Sequence, residues 1–311
     1  MAKRATREAY GKALLELGQK HNDIIVLDAD LSGSTKTAIF GKEFPNRFFN
    51  AGIAEGNMMG VAAGIATTGK IAFASTFAIF ASARACEQIR NSICYPNLNV
   101  KIAATHAGIT VGADGGSHQA IEDIAIMSAM PNMTVVVPGD GVSTEALIKQ
   151  AYEYDGPVYI RLGRAKVEDV YDSSEFFSIG QANLVKKGND ATIIVCGYPL
   201  NDAIKAASSL EQKGISVRVV DMSTVKPLDM GSVLKAAKET GAIVTVEEHS
   251  VIGGLGSMVA SFLAEHYPTP IQMVGLRDVF GQSGEADELI EEYNLTDSDI
   301  AHAVEEVIKR K

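Results

Sequence analysis

The chain has 311 residues, 46% hydrophobic and 21% charged, enough for one or two domains with well-developed cores. Thirty-eight Asp and Glu against 28 Lys and Arg leave a formal net charge of -10 with no basic run, which excludes a general polyanion binder such as a nucleic-acid protein. Any anionic ligand therefore has to be held by a local cluster of cations and backbone N–H groups.

The first residues, MAKRATREAYGKALLEL, fit an amphipathic helix with Leu14, Leu15 and Leu17 on or near one face, and do not fit a signal peptide. Short apolar, β-rich runs follow at 24–27, 71–73, 100–103, 134–137 and 158–160, with helical patterns between them at 54–66, 78–93, 119–128 and 143–154. Such alternation predicts a parallel sheet covered on both faces. Residues 164–189, with VYDSSEFF and KKGND, break the rhythm. A second alternation places strands at 192–196, 217–220, 243–246 and 271–274, with helices starting near Leu200, Asp229, Gly256 and Glu285. The expected fold class is α/β: two α/β domains with mostly parallel sheets, at residues 1–165 and 190–311, joined by a linker at 166–189. No apolar run approaches the length of a membrane span, and Cys86, Cys94 and Cys196, at no metal-ligand spacing, read as reduced thiols of a cytoplasmic protein.

Three segments follow apolar strands, at the carboxyl edge where open α/β sheets bind ligands. The first, FNAGIAEGN, puts Glu55 at the start of an apolar helix, where the helix dipole alone would favour an acid. The second, STFAIFASAR, spaces Phe77, Phe80 and Arg84 three and four apart, on one helical face. Aromatics at that spacing are usually core; an arginine continuing the stripe suits a pocket or an interface. The third, THAGITVGADGGSHQ, sets His106, Asp114 and His118 in a glycine-rich loop, a composition suited to close approach to a ligand, although loop histidines are often merely solvated. Two further glycine motifs, Gly139-Asp140-Gly141 and Gly253-Gly254-Leu255-Gly256, read as turns at helix N-termini.

The order of these segments, with PNMTVVVPGD at 131–140, resembles the pyrimidine-binding domain of transketolase. VEEHSVIGGLGS and LRDVFGQSGEADELIEEYNLT resemble the family's C-terminal domain. The resemblance runs from about residue 5 to 308 and implies thiamine diphosphate and Mg²⁺ as cofactors. The family's N-terminal diphosphate-binding domain is not found in the sequence. After Gly139-Asp140-Gly141 the stretch GPVYIRLGRAKV lacks the asparagine pair of the diphosphate motif. The resemblance thus implies a split enzyme whose N-terminal subunit, on another chain, holds the diphosphate and the metal, with α2β2 the expected assembly.

It also implies roles. Glu55 would hold N1′ of the cofactor's aminopyrimidine, best in an apolar site where burial raises its pKa. Phe80 would stack on that ring, with Phe77 beside it and Asp30 near the cofactor. Ser34, His106 and Arg164 would bind the sugar phosphate, Asp114 would read the donor's C2 hydroxyl, and His118 would stand near the reacting carbons. The reaction implied is transfer of a two-carbon ketol unit from a ketose phosphate to an aldose phosphate. One departure stands out: Ala83 occupies the place where the family usually carries a tyrosine. Two alternatives stay open: a 1-deoxy-xylulose-5-phosphate synthase-like enzyme, which places an arginine at position 80 and an aspartate at 106, and the beta subunit of a 2-oxo acid dehydrogenase. From another class, a non-catalytic α/β regulatory protein would bind no thiamine diphosphate with any partner.

Overall fold

The computed structural model describes residues 3–311. A short strand β1 (Lys3–Ala5) leads into a helix, Thr6–Lys20, whose Tyr10, Leu14 and Leu17 are buried. Then come β2 (Ile24–Asp28), β3 (Phe48–Asn50), β4 (Ile71–Phe77), β5 (Val100–Thr105), β6 (Thr134–Val136) and β7 (Val158–Arg161). After β8 (Lys166–Glu168) and β9 (Asn183–Lys186), the second half supplies β10 (Ala191–Val195), β11 (Val217–Asp221), β12 (Thr224–Lys226), β13 (Ile243–Ser250) and β14 (Ile271–Leu276).

Two sheets result. The first has seven strands in the order β12-β6-β7-β5-β4-β2-β3, parallel except for β12. The second has five, in the order β14-β13-β10-β11-β9, parallel except for β9. Central strands of such sheets are covered on both faces, and β5 and β10 are buried at every position. Buried in β5 is also Lys101, whose ammonium is satisfied by the Tyr154 and Gly156 carbonyls at 2.6 and 2.7 Å.

Three local expectations need correction. The stretch 166–189 is not free of regular structure: β8 pairs antiparallel with β1, and β9 closes an edge of the second sheet. Strands of three and four residues are too short to leave a periodic signature. The halves also interlock, because β12 lies beyond residue 190 and yet extends the first sheet beside β6. Finally, the helical segment after β4 contains π-turns at Phe80–Arg84 and Ile89–Cys94, and the one before β6 is helical only over Asp123–Ser128.

In the first sheet the chain leaves β2 for β3 on one side and returns to β4 on the other. The crevice at such a reversal lies beyond the carboxyl ends of the strands. The segments after β2, β3, β4, β5 and β7 carry Ser34, Glu55, Phe80, His106 and Arg164 to that edge.

Candidate functional site

Glu55 opens the Glu55–Ala66 helix and is 1% exposed. Its surroundings are not the apolar site that the sequence favours, because Arg84 Nη1 lies 3.0 Å from both carboxylate oxygens. The same guanidinium sits over the Phe80 ring, 4.5 Å from its centroid. The π-turn that begins at Phe80 brings these groups together. Phe77 ends β4 and does not start a helix, yet its ring stacks on Phe80 at 5.7 Å and 10°. Phe77 also stacks on His106, at a ring separation of 3.8 Å, and His118 meets both phenylalanines edge-on, Phe80 at 5.5 Å and Phe77 at 6.4 Å. Phe80, Phe77 and His106 thus form a continuous wall, with a buried carboxylate at one end.

At the other end lies a group of cations. His106 is buried, has a positive φ of 57°, and receives Arg7 Nη1 at 3.2 Å on Nε2. A guanidinium only donates, so Nε2 accepts and Nδ1–H donates to Thr105 Oγ1 at 2.9 Å. Burial first, then the charges of Arg7, Arg164 and Lys36, push the imidazole down to about 3, so His106 is neutral at ordinary pH. Arg7 also donates to the Ser34 carbonyl at 2.9 Å, and its Nε is buried without a partner. Arg164 donates to the Val111 carbonyl and stands 3.5 Å from Asp114. A cavity of about 250 Å³ opens between Arg7, Thr110, Gly112, Arg164 and Glu285. A larger one, about 650 Å³, opens beside β14 among Met273, Phe280, Tyr293 and His302, with none of these cations on its wall.

The second domain reaches into this site. Glu248, buried at the end of the β13 apolar run, accepts the Thr110 N–H at 2.6 Å. A Cβ on Gly108 would lie 2.3 Å from the Glu248 carboxyl, and one on Gly116 would lie 2.6 Å from the Gly281 carbonyl. Gln119 ties the loop to the Gln282 carbonyl at 2.9 Å. The loop's glycines therefore serve contact with the second domain, a use that sequence reading assigned to ligand approach. Two candidates sit further out. Asp30 is exposed and accepts from Asn50 at 2.9 Å, and Ser34 is engaged through its carbonyl. Sequence reading missed Arg7 and the Arg84–Glu55 pair.

The slot between Phe80 and Glu55, now filled by a planar guanidinium, suits a flat heterocycle that can hydrogen-bond a carboxyl group. The cations around His106 suit an anionic ester.

The chain matches the family models for the transketolase pyrimidine-binding domain over residues 2–169 and the transketolase C-terminal domain over residues 180–300. A chain of Methanocaldococcus jannaschii named as a transketolase C-terminal section is 52% identical, over 98% of this chain and 96% of that one. A 6-deoxy-6-sulfo-D-fructose transketolase subunit of a Clostridium species is 43% identical, over 98% of this chain and 95% of its own length. Among solved structures, a split-gene transketolase in an inactive β4 tetramer is 57% identical with a TM-score of 0.93, covering 98% of this chain and 99% of that one.

Proposed function

The chain belongs to the transketolase family, and from that premise we propose that it is the pyrimidine-binding, substrate-contacting subunit of a two-chain, thiamine-diphosphate-dependent transketolase. It moves a two-carbon ketol unit from a ketose phosphate to an aldose phosphate. The observation that carries this reading is the wall Phe80–Phe77–His106, which joins the Glu55 slot to the Arg7–Arg164 cavity on one sheet edge. A heterocyclic cofactor and a phosphorylated sugar can thereby lie side by side.

Thiamine diphosphate, when bound, supplies the carbanion chemistry. Glu55 and Phe80 fit its aminopyrimidine: a buried carboxyl faces a half-buried aromatic across a slot already sized for a planar donor. Arg84 has to leave that slot for the ring to enter. Glu55 then holds a proton at the ring nitrogen, and Phe77 and Phe80 exclude water from one side. Arg7 and Arg164 bind the phosphate with charge-assisted bonds from their guanidinium groups, and neutral His106 joins them in the tautomer whose Nε2–H points to the ligand once Arg7 turns to the phosphate. His118, edge-on to Phe80, stands by the reacting carbons, and Asp114 reads a donor hydroxyl. The diphosphate and Mg²⁺ are assigned to the N-terminal subunit in an α2β2 assembly. The relative described as an inactive β4 tetramer supports inactivity of this chain alone, and the relative named for a sulfonated sugar leaves donor breadth to assay. Among the described residues no helix is long and apolar enough to cross a membrane.

The test is ketol transfer from xylulose 5-phosphate to ribose 5-phosphate with thiamine diphosphate and Mg²⁺, with this chain alone and with the diphosphate-binding chain added. Activity only in the mixture is expected. Activity of the chain alone, or none in the mixture, overturns the reading.

A further inference from the structure

In the second sheet the helix Met230–Thr240 packs over β10 and β13 and buries Val233, Ala236 and Ala237. Its flank carries Ser232, Lys235 and Glu239, three and four residues apart and hence on one face. Between that flank and the edge strand β9 a cavity of about 300 Å³ opens. The sheet forms its floor. Val220 of β11 pairs with Leu184 of β9, and Arg218 lies two residues before Val220, on the same face of the strand. The turn after β9 adds Lys187 to the wall. Gly188 brings that turn close, since a Cβ there would stand 2.2 Å from the Val217 carbonyl carbon and 2.3 Å from the Arg218 nitrogen.

The charge on this wall runs against that of the chain. Lys187, Arg218 and Lys235 face a single acid, Glu239, so three cations less one carboxylate leave two positive charges, in a chain whose formal net charge is -10. Arg218 is held in place: its Nη2 lies 2.7 Å from Glu239, its side chain is 12% exposed, and its Nε is buried without an acceptor. Lys186 is spent on Glu211 at 2.7 Å, whereas neither Lys187 nor Lys235 has a carboxylate partner among the described residues. Alongside the cations, Ala182, Leu184 and Val220 supply apolar surface, and Leu184 is 53% exposed. A fixed guanidinium and two unpaired ammonium groups beside aliphatic surface are complementary to an anion carried on an apolar body. The trough shares no lining residue with the Arg7–Arg164 cavity.

We propose that this trough is a second binding site, in the C-terminal domain, for a phosphate monoester with an apolar or aromatic body. A phosphate monoester carries about 1.5 to 2 negative charges at pH 7, which matches the two positive charges of the lining. Its three terminal oxygens accept charge-assisted bonds from Arg218, Lys187 and Lys235, while Leu184 and Val220 cover the body. The cavity has the volume of the smaller small-molecule sites, which begin at roughly 300 Å³. The assignment does not depend on the transketolase reading.

Calorimetric titration of phenyl phosphate into the full chain tests this, with the unaltered protein, Lys235→Met and Arg164→Met compared. Lys235 is exposed on the helix flank, so its replacement leaves the fold intact. The expected result is binding that weakens about tenfold in Lys235→Met, as for loss of one charge-assisted bond, and is unchanged in Arg164→Met. Leu184→Asn should weaken phenyl phosphate and leave inorganic phosphate as it was. No binding, binding that Lys235→Met leaves unchanged, or binding that Arg164→Met weakens as much, overturns the site. Equal effects of Leu184→Asn on both probes overturn the apolar half of the assignment. Binding that disappears when the diphosphate-binding chain is added would make the trough a subunit contact and overturn the proposal as well.

Discussion

Arg161 ends β7 and is 5% exposed; Arg164, three residues later, has a side chain that is 39% exposed. Arg161 Nε lies 2.9 and 3.1 Å from the two Asp123 oxygens, and its Nη2 donates to the Ala120 and Glu248 carbonyls at 3.0 Å. Tyr159 adds its hydroxyl to Asp123 at 2.8 Å. Arg164 has a single main-chain carbonyl and a loosely held Asp114. The difference teaches that a cation whose donors are consumed inside the fold is scaffold, whereas a cation left short of acceptors at a cavity wall is waiting for an anion.

The largest effect should come from breaking the scaffold side. Arg161→Met strands a buried Asp123, and loss of about 3–5 kcal/mol of unfolding free energy is expected. Arg164→Met should stay within about 0.5 kcal/mol of the unaltered chain, as for a partly exposed substitution that strands no buried charge. Chemical unfolding of both measures the contrast, and equal losses would erase it. Next comes Glu55→Gln, which keeps the shape of the slot and removes the acid. Turnover of the two-chain enzyme should fall by on the order of 10²–10⁴, with the unfolding midpoint little changed. Near-normal turnover would remove Glu55 from the chemistry. Smaller again is Arg164→Met in catalysis. KM for phosphorylated sugars should rise about tenfold while KM for free sugars holds, since one charge-assisted bond is lost. A matched rise for free sugars would point to a distorted loop and count against phosphate contact.

The two arginines also explain what could be read without coordinates. Doubly covered parallel strands are continuous apolar runs, so β2, β4, β5, β7, β10, β11 and β13 announce themselves, and the residues at their carboxyl ends follow. Arg7 does not announce itself. It is one of three cations among Lys3, Arg4 and Arg7, and Arg4 is spent on Glu145 and Asp169. Only the packing of the helix shows which of them turns to the cavity. Glu248 reaches Thr110 across 138 residues, a contact set by the docking of two domains and by no local pattern. The Arg84–Glu55 pair depends on a π-turn, which an ordinary helical periodicity does not foresee.

The smallest expected effect is the most diagnostic of how the cation cluster works. An isolated histidine at a phosphate site would titrate near 6.5 and contribute a charge that fades through neutrality. His106 cannot behave so, because burial and three neighbouring cations push it down to about 3. The sign follows directly. Between about 6.5 and 3 the unfolded chain takes a proton that the folded chain refuses, so His106 withdraws stability as pH falls through that window and withdraws none above it. The guanidinium groups do not titrate there at all. Affinity for a phosphorylated sugar should therefore carry no His106 inflection, and the inflection near pH 6 should be the substrate's own second phosphate ionisation. In the His106→Asn variant that inflection should persist unchanged, and the His106 imidazole resonances of the unaltered chain should stay flat from pH 5 to 8. A His106 resonance titrating near 6.5 would mean that the imidazole is not buried beside Arg7 and Arg164 in solution, and the cavity wall would lose its clearest electrostatic consequence.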